Sequence, residues 1–185
     1  YIITAVIIVV LLSLFFLFRQ SHSTNTNASV LVAIPPSSPL IVSINKPLNL
    51  FENCASNEIY TTLKTIPSIN SSFSSMEVFF QFLKEDLSLV KFIKNKNLIL
   101  SLNYSGKNVV NTLALISIQN SEYDMYSEIV RKLENGDGIF YNSRKYNRTN
   151  INEFTKNGIS LYVAKHKGLV MVSDNELLVE EAIRL

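Results

Sequence analysis

The chain has 185 residues, with 17 Lys plus Arg against 15 Asp plus Glu, one Cys, two His, five Gly and no Trp. Near-balanced charge excludes a dedicated nucleic-acid binder, which carries a clear basic excess. One Cys excludes an intrachain disulfide and, with two His, argues against a structural zinc site; so few glycines leave little for phosphate-cradling loops.

Residues 1–18 read YIITAVIIVVLLSLFFLF, with only Thr4 and Ser13 polar and no charge. About 18 to 20 apolar residues at 1.5 Å rise cover the ~30 Å hydrocarbon core of a bilayer. Backbone groups in that layer must be satisfied internally, so the run is expected to be helical. It exceeds the ~7–15 residues of a cleavable signal core. A single-pass anchor over residues 1–19 is therefore the expectation. A cleaved signal peptide with a junction near Ala28 to Ala33 is an alternative. A buried soluble helix is another, although it would normally show a polar face. Cys54 follows Leu50, Phe51, Glu52 and Asn53, where a lipoprotein would need small residues. After Arg19 no Lys or Arg occurs until Lys46, which suits the translocated side of a membrane. The expected location is thus extracytoplasmic, with the lipid bilayer as partner through residues 1–18.

Residues 20–33 are mostly small and polar and read as a flexible tether. Residues 34–185 are expected to form an extracytoplasmic α+β domain. Ile34-Pro35-Pro36-Ser37-Ser38-Pro39 is extended or turn-like, because proline disfavours α geometry in the residue before it. Leu40 to Ile44 reads as the first strand. Pro47 suits the first turn of a short helix through Ala55. Ser56 can cap a helix over 57–65 that ends before Pro67. Ser74 with Glu77 forms a capping-box pair for a helix to Lys84, and Leu87 to Phe92 is a further helical turn. Asn97 to Leu102 and Val109 to Ile118 read as strands joined through Ser105-Gly106-Lys107-Asn108.

Ser121 is the expected cap of an amphipathic helix in which Tyr123, Tyr126, Ile129, Val130 and Leu133 share a face. Gly136-Asp137-Gly138 ends it. Strands are expected over 139–146, 150–154, 158–164 and 169–172, with Lys165-His166-Lys167-Gly168 as the last turn. Ser173 with Glu176 forms a second capping box for a final helix. Tight hairpins with segregated helices predict an antiparallel sheet covered by helices on one face, in an α+β architecture. The chain opens on Tyr1 rather than Met, and its last helix meets no stop signal before Leu185. The expectation is a piece of a longer protein.

No set of residues nominates a catalytic, cofactor-binding or metal site. Ser88-Leu89-Val90-Lys91 has S-x-x-K spacing and Ser173-Asp174-Asn175 has S-D-N, as in penicillin-binding enzymes, but the K-T-G strand is absent. His22 and His166 share no ligand spacing with each other or with carboxylates. Glu85-Asp86 and Glu180-Glu181 are sequence neighbours that point about 100° apart on a helix. Cys54 has no base beside it. Lys91, Lys94 and Lys96, and Arg144, Lys145 and Arg148 with Tyr141 and Tyr146, form two basic clusters that could touch anionic groups. Asn27, Asn70, Asn103 and Asn147 open N-x-S/T sequons at a frequency that an Asn-, Ser- and Thr-rich chain reaches by chance.

Gly168 to Leu185, GLVMVSDNELLVEEAIRL, and Ile34 to Ile44, IPPSSPLIVSI, resemble bacterial envelope proteins of the domain-of-unknown-function 3352 type. Such proteins have an N-terminal membrane segment, an I-P-x-x-A-x first strand and a strand-to-helix unit ending V-x-x-A-I. Here Pro39-Leu40 replaces the usual Ala and its apolar follower. The resemblance implies a membrane-anchored protein of the bacterial cell envelope, brings no assigned activity and carries over no site residues. The anchor, the tether and the motif-free α+β domain lead to the expectation of a binding or scaffolding protein, not an enzyme. The alternative expectation is an envelope hydrolase whose site lies partly outside these residues.

Overall fold

The computed structural model describes residues 30–48, 58–67, 70, 87–106 and 109–185. The expected anchor over 1–19, the tether to residue 29, the helix continuing to Ala55, the Ser56 cap, the Ser74–Lys84 helix and the Lys107-Asn108 turn lie outside the described residues. Among the described residues, no helix is long and apolar enough to cross a membrane.

The chain enters through a helical turn at 30–32. It then forms β1 (Leu40–Asn45), α1 (Glu58–Lys64), α2 (Leu87–Ile93), β2 (Asn97–Gly106) and β3 (Val109–Ser117). A single 3-10 turn, Asn120–Glu122, leads into α3 (Tyr123–Glu134). There follow β4 (Phe140–Tyr146), β5 (Thr149–Lys156), β6 (Ile159–His166), β7 (Leu169–Ser173) and α4 (Glu176–Arg184). Seven strands form one sheet in the order β1-β2-β3-β7-β6-β5-β4, and every pairing is antiparallel.

The second half is a four-stranded meander closed by two-residue turns. Asn147-Arg148, Asn157-Gly158 and Lys167-Gly168 each place both residues at positive φ. That is the type I′ pattern whose twist matches the strands. Gly158 and Gly168 adopt this geometry without steric cost. Gly168 also accepts from the Ile118 N–H at 2.8 Å, tying the last turn to the end of β3. Lys165 and His166, expected in this turn, belong to β6 instead, because a two-residue loop needs only Lys167 and Gly168.

Strand residues alternate between two apolar layers. The first contains Leu98, Leu100, Ile116, Phe154, Val163, Val170 and Val172 with Leu89, Phe92 and Ile93 of α2 and Tyr126 and Ile129 of α3. The second contains Ile99, Leu113, Leu115, Ile151, Ala164, Leu169 and Met171 with Val30, Ala33 and Ile34 and with Leu178, Val179, Ala182 and Ile183 of α4. The α+β class stands, but the expectation of helices on one face is corrected: helices cover both. The reason is visible in Leu98-Ile99-Leu100 and Leu169 to Val172, where both strand parities are apolar and both faces must leave water. The packed body also begins at Val30, inside the stretch read as tether.

Two expected caps are corrected as well. Ser121 lies within the 3-10 turn. The N-cap position of α3 is Glu122, which makes no side-chain cap bond to that helix; its Oε2 accepts from the Gln119 N–H at 2.8 Å and so closes the 3-10 turn. The N-cap of α4 is Asn175, whose Oδ1 accepts from the Leu177 N–H at 2.9 Å. Ser173 instead accepts from the Asn175 N–H at 3.0 Å. It is buried as the last residue of β7, two residues ahead of the cap position.

Candidate functional site

The second face turns polar where β4, β5 and β6 meet α4. Arg144 projects from β4 and donates to the carboxylates of both Glu176 and Glu180. These glutamates are four residues apart on α4 and therefore share a face. Beside them, Glu153 of β5 stands opposite Tyr162 of β6. Its Oε1 accepts from the Tyr162 hydroxyl at 3.3 Å and from Ser160 Oγ at 3.3 Å. Ser160 also meets Thr155 Oγ1 at 2.6 Å.

Electrostatics follow from this crowding. Arg144 is held more firmly protonated, first by the hydrogen bond to Glu176 and then by that to Glu180. Partial burial raises the Tyr162 phenol, and the charges of Glu153 and Glu176 push it further, so Tyr162 acts here as a neutral donor. Two carboxylates on the Arg144 guanidinium and a third, Glu153, beside Tyr162 leave the cluster net negative by two. It offers acceptors and hydroxyls to a cationic or hydroxyl-rich partner. Among the described residues, no group of three or more His, Cys, Asp and Glu could hold a metal ion.

Sequence reading did not assemble this cluster. It placed Arg144 in a basic patch with Lys145 and read Glu180-Glu181 as solvated surface. Alternation along β4 sends Arg144 and Lys145 to opposite faces, and the pairing with α4 depends on where the last helix docks. The one usable hint was the shared parity of polar residues, Asn142 and Arg144 on β4 with Glu153 and Thr155 on β5.

The remaining candidates have structural partners. Ser88 accepts from Lys132 Nζ at 2.7 Å, and Lys91 is exposed. Asp174 Oδ1 accepts from the Thr112 N–H at 3.0 Å, and Asn175 Nδ2 donates to Asn111 Oδ1 at 3.1 Å. Ser88 rides on α2 over the first face, whereas Ser173 to Asn175 lead into α4 over the second. The S-x-x-K and S-D-N spacings therefore do not converge. His166 Nδ1 meets Thr149 Oγ1 at 2.7 Å; burial, then the Lys167 charge, lowers its pKa. His22, Cys54, Glu85 and Asp86 lie outside the described residues.

Lys96 pairs with Glu122 at 2.5 Å, and Lys165 lies 3.7 Å from the Tyr123 ring centroid, a cation–π contact. Asn103 is buried, and its Nδ2 donates to Ser101 Oγ at 2.7 Å and to the Ser101 carbonyl at 3.1 Å. Its sequon is thus closed to modification in the folded chain. Comparison of the chain with protein-family models, with curated proteins and with solved structures finds no match in any of the three.

Proposed function

We propose that this is a single-pass, membrane-anchored protein of the bacterial envelope whose α+β body stands outside the cytoplasm and works by binding or scaffolding rather than catalysis. The observation that carries the reading is the uncharged apolar run of residues 1–18, placed a short polar stretch before a packed body that opens at Val30. The lack of Lys and Arg between Arg19 and Lys46 supports the orientation. The resemblance to the domain-of-unknown-function 3352 type supports the envelope. Ser88, Ser173, Asp174 and Asn175 each serve fold contacts, which favours a binding role over a hydrolytic one. The surface best suited to a protein or envelope-polymer partner is the Arg144, Glu153, Tyr162, Glu176 and Glu180 cluster.

The test is protease digestion of intact spheroplasts carrying the protein with a C-terminal tag. Loss of the tag is the expected result. A tag protected until the membrane is opened would overturn the orientation, and uncleaved protein in the soluble fraction without detergent would overturn the anchor.

A further inference from the structure

The two edges of the sheet differ in kind. Edge strand β4 carries Arg144 and Lys145, the sort of charge that guards an open edge against pairing. Edge strand β1, Leu40–Asn45, carries no charge and no proline, and neither do β2 and β3 behind it. Leu40, Ile41 and Val42 on this edge, with Leu31 and Val32 on the entry turn, are 41–62 % exposed. All of residues 30–45 are uncharged. Exposed apolar clusters of this kind mark contact surfaces.

The chain itself says what lies near. Only residues 20–29 separate the apolar run and Arg19 from Val30. Ten residues span at most about 36 Å even when fully extended. The entry turn is thus held within reach of whatever holds residues 1–18, at high effective concentration.

We infer that Leu31, Val32, Leu40, Ile41 and Val42 form a lipid-contacting rim that seats the body on the outer surface of the bilayer holding its own anchor. This rests on the anchored reading proposed above. The rim lies at headgroup depth, because the backbone groups of an edge strand with no further strand beside it among the described residues cannot enter hydrocarbon, whereas the five apolar side chains can reach the acyl boundary. Seating this edge turns the charged β4–β6 half of the sheet away from the membrane, leaving the Arg144–Glu176 cluster free for a partner. A second copy pairing through β1 would satisfy the edge but would leave Leu31 and Val32 unexplained.

The absence of Trp makes the test direct. Single-Trp variants of the full chain, Phe15→Trp, Val32→Trp, Ile41→Trp and Phe140→Trp, are reconstituted in phosphatidylcholine vesicles with and without brominated acyl chains, which quench Trp on contact. Phe140, exposed on the far edge strand, is the reference. The expected result is strong quenching at position 15 and several-fold more quenching at 32 and 41 than at 140. Quenching at 15 with 32 and 41 no different from 140 overturns the rim and leaves the anchor intact. No quenching at 15 overturns the anchored reading and the rim with it. Indoles at positions 32 and 41 that escape brominated lipid yet become shielded from acrylamide as protein density rises would show a second copy on the edge, which also overturns the proposal.

Discussion

Tyr126 offers the sharpest check on the packing between α3 and the sheet. Its ring belongs to the first-face core, yet its buried hydroxyl makes no hydrogen bond of good geometry among the described residues, the Asn152 side chain offering only a weak one. Asn152 Oδ1, the acceptor on that side, already takes the Tyr141 hydroxyl at 3.1 Å and Ser143 Oγ at 3.0 Å, so its two lone pairs are occupied. A buried unsatisfied hydroxyl costs about 1–3 kcal/mol. Tyr126→Phe keeps the ring and removes that cost, so the variant should be more stable by about 1–2 kcal/mol near neutral pH. For a domain of this size each kcal/mol is worth roughly 2–4 °C in Tm.

A second signature is independent of the first. Burial pushes the Tyr126 phenol up from its ordinary 10 to about 12, with Asn152 opposing and Tyr141 adding. A raised folded-state pKa means that stability is intact below pH 10 and lost as the pH rises from 10 towards 12. The loss is on the order of 3 kcal/mol, and Tyr126→Phe should lack it. Urea unfolding of the full chain in detergent micelles, followed by circular dichroism at about pH 7.5 and about pH 11.5, on either side of the phenol's ordinary range, measures both effects. If Tyr126→Phe is destabilised near neutral pH, or keeps the parent's alkaline loss, the unsatisfied-hydroxyl argument is wrong.

Other expectations follow from the second face and the caps. Arg144→Ala should cost about 1 kcal/mol at low salt and much less in about 1 M salt, since its partners are partly exposed and screened; urea midpoints at the two salt levels decide this. Asn175→Ala removes the acceptor for the Leu177 N–H and should cost about 1–2 kcal/mol in thermal unfolding, identifying Asn175 as the cap of α4. The lowered pKa of His166 gives stability that is present above about pH 6.5 and lost as the pH falls through the folded-state value. His166→Gln should therefore flatten the decline in urea midpoint between about pH 7 and about pH 5, and an unchanged decline would count against it.

Much of the local structure was legible in the chain. β2, β3 and α3 follow from β-branched runs, turn residues and the 3.6-residue apolar stripe through Tyr123, Tyr126, Ile129, Val130 and Leu133. These signals are local, and the structure places β2 and β3 in one hairpin and that stripe against the first-face core. The caps were misread because a serine ahead of an apolar stripe, as at Ser121, and a Ser-x-x-Glu pattern, as at Ser173, describe spacing only. Which residue leaves helical or strand geometry first is settled by how the preceding strand ends. The candidate cluster was illegible for a different reason. Arg144, Glu153, Tyr162, Glu176 and Glu180 come from four elements, and no spacing in one segment announces them.

Among the described residues, the amino-acid order by itself determined most of the strands and helices and where the meander turns, and it shows residues 1–18 to be uncharged and apolar, because each depends on a few neighbouring side chains. Only the tertiary structure decided that β7 returns to pair with β3, as in the Thr112–Asp174 contact 62 positions apart. That junction makes two hairpin sets one sheet, sends α3 and α4 to opposite faces, and fixes which charges meet. Side chains far apart in the chain become neighbours only through strand register and docked helices, and those are selected by burying both apolar faces together.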